Sequence, residues 1–415
     1  MRRSSLIFCF LLFGFVTSTS NADNLVWSGW LGGPSRNGYV RGFQPPKSWP
    51  KKLIKDWELN VGTGYASPAL DGQGNVFVHA RQKNTEVVMR IELKSGDIKW
   101  RKQYATKFKP GGGGEYHGIG PKACPSIGSG RVYTMSIAGV LSAWDCETGK
   151  RLWARSYGKQ FKKPTKHWGS TGSPLIDGER VVSHFGTDGK GFLRCFDGAS
   201  GDVVWTQGKT GPSYSSAMLA VIDGQRQIIE WNEKDLVGID GKSGKRLWKF
   251  HAPGTMLDQN MPTPTFHNGT ILLGAENRGM KCVVPTRKNG VWTAKEKWFQ
   301  KKIALDMSSA VINNGKLYGM SHYSKGRLFC LDPKTGKILW MGPPRVGSNV
   351  TFLSIPGYVI ALTDRGLLQV IAADATKYRK VAEYRVAPAH TWTPPVLVKG
   401  GVLIKGKSKL TLWRF

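Results

Sequence analysis

Asp145-Cys146-Glu147-Thr148-Gly149-Lys150-Arg151-Leu152-Trp153 is the stretch whose reading decides the fold. Reduced to Asp-x-x-(Ser/Thr)-Gly-x-x-x-Trp, it returns as Asp197, Gly201 and Trp205, as Asp240, Gly244 and Trp248, and as Asp332, Gly336 and Trp340. Glu92 to Trp100 repeats it with Glu in first place. An acidic side chain there accepts hydrogen bonds from the turn behind it, Ser or Thr adds a local bond, and Gly supplies positive φ. Trp then lies on the returning strand, where its ring fills the gap to the next unit. A phrase repeated in one register marks a repeat protein.

With Trp as the marker and weaker copies admitted at Trp57, Trp298 and Tyr384, the intervals are 43, 53, 52, 43, 50, 42 and 44 residues. That period suits one four-stranded sheet per unit, the blade of a propeller. Each marker is followed by a loop and a strand opening on small or Pro residues, as in Ser67-Pro68, Cys124-Pro125, Ser173-Pro174 and Thr263-Pro264. A crowded inner strand beside a central channel requires such residues. Gly turns follow at Asp71-Gly72, Ser129-Gly130, Asp177-Gly178, Asp223-Gly224, Asn268-Gly269, Asn314-Gly315, Pro356-Gly357 and Gly400-Gly401, most of them hairpin signals.

Those turns count one unit more than the intervals do. The last unit ends at Phe415 one strand short, and residues 53–59 have the pattern of the missing outer strand. Joining both termini in one blade removes an exposed sheet edge. The expectation is therefore an all-β, eight-bladed propeller over 53–415, closed by an N-terminal strand in the last blade. Seven blades with that strand packed elsewhere is the alternative. Helical periodicity is absent from the rest of the chain, so helices should be minor. Trp27 to Pro50, within a Gly-, Pro- and Trp-rich stretch assigned to 23–52, is expected to wrap the outside of the ring.

Arg2-Arg3, an apolar run from Leu6 to Val16 and Ser20-Asn21-Ala22 read as an export signal over 1–22, removed near Ala22. This predicts a periplasmic or extracellular protein, and a monomer. Beyond Cys9 the cysteines are Cys124, Cys146, Cys195, Cys282 and Cys330, an odd number without C-x-x-C spacing. They read as small buried hydrophobes rather than disulfides or metal ligands. The formal charge is +32, with basic residues scattered along the chain. In an exported protein nucleic acid is not a physiological partner. An anionic envelope polymer or a membrane surface is, unless the charge serves solubility alone.

Loops entering the inner strands gather around the channel mouth, and on a rigid scaffold such loops carry binding residues. Here they offer Tyr65, Glu115, Tyr116, His117, His167, Trp168, Tyr214, Asp258, Asn260, Asp306, Asn349, His390 and Trp392. As ligand-binding candidates we take Tyr65, His117, Trp168, Tyr214, Asp258, Asp306, Asn349 and Trp392. Aromatic faces with carboxylates suit a flat or sugar-like ligand. The same side chains can instead close the channel against each other. Asp258 with Asp306 is a candidate acid–base pair, and His117, His167 and His390 a candidate metal set. No Gly-x-Ser-x-Gly or His-Glu-x-x-His motif occurs, and no catalytic residue is assigned.

The phrase ending in Trp, from Trp57 to Phe415, resembles the pyrroloquinoline-quinone-type propeller repeat. That repeat is shared by quinoprotein dehydrogenases and by the scaffold lipoprotein of the bacterial outer-membrane protein assembly machine. In size and blade length the chain is more similar to the scaffold family, which implies a non-enzymatic exported protein with a protein or envelope-polymer partner. The dehydrogenase side of the resemblance implies instead an enzyme acting on an alcohol or sugar. Its pyrroloquinoline quinone is held by an adjacent-cysteine disulfide ring, a Trp platform and a calcium site of Glu, Asn and Asp. A polysaccharide-binding module is a third reading.

Overall fold

The period of the phrase becomes the period of the sheets. The computed structural model describes residues 25–111, 114–161, 165–255, 259–388 and 390–415, and the export signal with its cleavage point lies outside them. Among the described residues are eight antiparallel sheets, seven of them four-stranded and one five-stranded. Blades 1 to 7 span 69–105, 126–156, 175–207, 218–251, 265–300, 311–341 and 350–385, each running from inner to outer strand in chain order. Blade 8 takes Val396–Val398, Gly401–Lys405 and Lys409–Arg414, and Ile54–Asn60 completes it. That closing strand pairs antiparallel with Lys409–Arg414, with Glu58 opposite Thr411. Lys409 Nζ reaches Glu58 at 2.6 Å and Arg414 reaches Asp56 at 2.8 Å across the same seam. The fold is the eight-bladed ring, and the seven-bladed alternative is excluded. Helix is confined, among the described residues, to four short 3-10 turns.

The phrase works between blades. Asp145 Oδ1 accepts the Thr148 N–H at 2.8 Å and its hydroxyl at 2.7 Å, and Gly149 turns the chain at φ 67°. Against that Gly lies the Trp of the preceding blade. A Cβ at Gly149 would stand 2.7 Å from the Trp100 ring, and one at Gly201 2.6 Å from Trp153. The indole N–H then donates to the carbonyl just after the acidic residue: Trp57 to Leu93, Trp100 to Cys146, Trp153 to Gly198, Trp205 to Gly241 and Trp298 to Pro333. One residue is bulged just before each of these Trp positions, and such a bulge re-aims the side chain that follows.

Two markers depart from this rule. Blade 5 has no phrase, so Trp248 turns back and donates to Gln227 of its own blade at 2.8 Å. In blade 7 the bulge sets Ala382, not Tyr384, in the Trp register. Tyr384 instead donates its hydroxyl to the Pro50 carbonyl at 2.8 Å, where the chain enters the closing blade. Trp340 still reaches the next blade, where the turn has no phrase, and donates one residue further on, to the Asp374 carbonyl at 2.7 Å.

Around the channel a second set of bonds joins the inner strands. The Ser67 N–H donates to Cys124 Sγ, Cys124 N–H to Ser173 Oγ, Ser173 N–H to Ser216 Oγ, and Thr263 N–H to Ser309 Oγ. Small hydroxyl and thiol residues open these strands because each must reach the backbone of its neighbour. The five described cysteines are unpaired.

The segment expected outside the ring runs through it. Val26–Trp27 adds a strand beside Ala69–Asp71 of blade 1. Ser28 accepts from Ile127 of blade 2, Pro34 from Leu219 of blade 4, and Trp30 donates to Thr263 before blade 5. The buried Arg36 guanidinium donates to the carbonyls of Ser173, Pro174 and Ala217. Gly38 and Val40 bond Ser354 of blade 7. The physical reason is hydrogen-bond demand. Inner strands are edge strands, their channel-side backbone groups need partners, and a Gly- and Pro-rich chain reaches them in close quarters.

Candidate ligand site at the channel mouth

Because every blade runs from inner to outer strand, the loops entering the inner strands share one face with the turns joining second and third strands. The phrase turns lie on the other. On the mouth face the chain leaves a cavity of about 310 Å³, within the usual size range of ligand pockets. Its lining includes Tyr65, His117, Trp168, Tyr214, Asp306, Asn349 and Trp392, with Trp30 and Leu31 of the threading segment also facing it. Seven candidates are thus brought to one site. Asp258, and with it the proposed Asp258–Asp306 pair, falls outside the described residues.

One arc of the cavity is aromatic. Tyr65 stacks on Trp392 with centroids 5.6 Å apart, His117 meets Trp392 edge-on at 4.5 Å and Trp168 at 6.0 Å, and Trp168 packs on Tyr214 at 5.1 Å. The indole nitrogens of Trp168 and Trp392 are buried and find no acceptor among the described residues. The opposite arc carries Met261, Glu276, Asp306, Met307 and Asn349. Asn349 is buried, its side-chain carbonyl accepting from Ser308 Oγ at 2.9 Å.

Lys122 stands on the aromatic side, donating to the Trp168 carbonyl at 2.7 Å. Burial lowers its pKa to about 8, so it is mostly an ammonium at neutral pH. Burial first, then this cation, lowers the pKa of His117. Burial raises Tyr65 and Tyr214. The site therefore combines ring faces, a cation, carboxylates and an amide. Such a set binds by stacking and by hydrogen bonds of both senses.

Other candidates separate. His167 and His390 are exposed, and among the described residues no group of three His, Cys, Asp or Glu is placed to hold a metal ion. Asn260 is buried away from ligand contact, donating to the carbonyls of Asn232 and Ala252. Lys122 and Glu276 are the residues that sequence reasoning missed. Lys122 was legible as the one cation within Pro121-Lys122-Ala123-Cys124, directly before an inner strand. Glu276 lies in a turn joining second and third strands, a class of loop that a search of inner-strand entries omits.

Comparison with known proteins places this geometry. The outer membrane protein assembly factor BamB of Moranella endobia is 24% identical over 353 residues, covering 80% of this chain and 84% of that protein. The crystal structure of BamB from Moraxella catarrhalis superposes with a TM-score of 0.62 at 15% identity, covering 88% of this chain and 98% of that one. Quinohemoprotein alcohol dehydrogenase from Comamonas testosteroni gives 0.64 at 14% identity, over 94% of this chain and 80% of that one. At such identities the structural likenesses show the fold. A family model described as outer membrane protein assembly factor BamB matches residues 84–341, well over half of the sequence, and the chain belongs to that family.

Proposed function

We propose that this chain is an exported scaffold of the bacterial envelope, acting as a monomer that binds a protein partner in outer-membrane protein assembly. The observation that carries this reading is the family match across 84–341. The architecture agrees with it. Trp-to-Gly docking between blades and the N-terminal segment through the channel build a rigid body that presents loops and strand edges to a partner. Residues 1–22 serve as the export signal in this reading.

The quinone-dependent alternative is favoured by one observation, that aromatic rings and the residues Glu276, Asp306 and Asn349 line a single cavity. The donor set as a whole does not fit the quinone. The adjacent-cysteine ring has no counterpart in the sequence. Cys124, just before the inner strand of blade 2, is fully buried, with a thiol pushed up to about 12 by that burial.

Chemical crosslinking in intact cells that carry the tagged full-length protein, followed by identification of the adducts, tests the scaffold reading. A component of the outer-membrane assembly machinery is expected among the reproducible adducts. Adducts lacking any such component, from cells in which that machinery is present, would reject it.

A further inference from the structure

Both faces of the ring carry cations. On the turn face they stand among carboxylates: Lys150, Lys242, Lys245, Lys334 and Lys337 belong to the phrases themselves, with Asp145, Asp197, Asp240 and Asp332, and Asp71, Asp177, Glu179 and Asp223 lie on the same face. The mouth face has few carboxylates and many cations. Lys83, Lys107, Lys209, Arg345, Arg365 and Lys407 all lie in its loops and are exposed. None of these six is paired with a carboxylate among the described residues. Cations held apart from counter-charges at the mouth give its rim a positive field.

This rim surrounds the aromatic cavity. We propose that the mouth face binds an acidic glycan, one sugar ring seated in the cavity and the anionic groups of neighbouring sugars held by the rim cations. This goes beyond the scaffold reading and stands without it. Two observations favour a glycan. The aromatic wall of Tyr65, Trp392, Trp168 and Tyr214 suits the C–H face of a pyranose. Lys122, Glu276 and Asp306 offer a donor and acceptors together, as hydroxyl groups require.

A membrane surface fits less well. Interfacial binding needs an apolar face beside the cations. Among the large exposed apolar residues described, Ile98, Leu152, Val203, Val204, Phe299 and Val381 lie on outer strands and Tyr116 belongs to a mouth loop. A polypeptide rich in acidic residues would meet the rim but has no use for a wall of rings.

The test titrates the full mature protein with oligogalacturonate, following tryptophan fluorescence and heat. Polyglutamate of matched charge, vesicles containing phosphatidylglycerol, and neutral cello-oligosaccharides serve as comparison ligands. Oligogalacturonate is expected to bind most tightly, to perturb tryptophan fluorescence, and to weaken steeply with salt. Trp392→Ala should weaken it at least about tenfold, the scale of one lost stacking contact, with the salt dependence kept. The triple change Lys107→Glu, Lys209→Glu, Lys407→Glu touches only exposed side chains and should reduce both affinity and salt dependence. Absence of oligogalacturonate binding overturns the proposal. So does polyglutamate or vesicle binding of equal strength that Trp392→Ala leaves unchanged. Loss of the assembly partner in crosslinking would leave this result untouched.

Discussion

At the scale of single residues, the fold holds buried cations, Arg36, Arg81 and Lys405, whose partners among the described residues are carbonyls rather than carboxylates. Lys405 is 1% exposed, and its ammonium donates to the carbonyls of Gly64 and Gly406, both at 3.0 Å. These bonds join the last blade to the loop after the closing strand. Burial lowers its pKa from 10.5 to about 7. The sign follows from proton counting. Below pH 7 folded and unfolded chains both hold this proton, and burial costs stability. Between about 7 and 10.5 the unfolded chain still holds it while the folded chain has released it, so stability rises with pH. Lys122, lowered to about 8, acts in the same sense from a higher starting point. Thermal melts from pH 6 upward should show this rise, and Lys405→Met should remove the part that begins near pH 7. An unchanged pH profile in that variant would mean that Lys405 is not the group responsible.

At the scale of elements, Ile54–Asn60 and the segment before it act differently. The strand covers an edge of blade 8, and the segment satisfies inner-strand backbone groups. A chain beginning at residue 53 should keep the closed ring with a lowered melting temperature, since it loses the buried bonds of Arg36 and the part-buried bond of Trp30. A chain beginning at residue 61 also loses the closing strand, exposing the Lys409–Arg414 edge, and should associate or aggregate on size-exclusion chromatography. Equal melting temperatures for both chains and the full-length protein would refute this division of labour.

The same elements show what a sequence reveals. Blade number and closure were legible because the phrase is local and each copy demands the same turn, Gly and Trp. The path of 27–50 was not. Trp30 meets Thr263 across 233 residues and Arg36 meets Ser173 across 137, and such contacts leave no period. The mouth was legible for residues just before inner strands and failed for Glu276, which another loop class supplies. Trp248 was misleading for a related reason. Its role depends on whether the next blade carries a phrase, which its own blade does not encode.

At the scale of the whole molecule, 60 basic and 28 acidic residues give a formal charge of +32, and most of it lies on the closed ring. Part of it guards edges. The outer strand Ile98–Ala105 bears Lys99, Arg101 and Lys102, and Val291–Gln300 bears Lys295 and Lys297, cations that discourage strand addition from outside. The rest repels itself. Ion pairs offset this only slightly. Arg90 with Glu147 at 2.6 Å and Lys281 with Glu296 at 2.7 Å are surface pairs, each worth about 1 kcal/mol or less. Self-repulsion summed over the ring should therefore outweigh the pairs. Screening then stabilises the fold, because the Debye length falls from about 30 Å at 0.01 M salt to about 8 Å at 0.15 M. The melting temperature is expected to rise over that range, and to rise further with a multivalent anion such as sulfate at equal ionic strength. The extra gain from the multivalent anion should shrink in the Lys107→Glu, Lys209→Glu, Lys407→Glu variant, since those exposed cations lie on the mouth face. A melting temperature that falls with salt would show instead that surface pairs, not repulsion, dominate this ring.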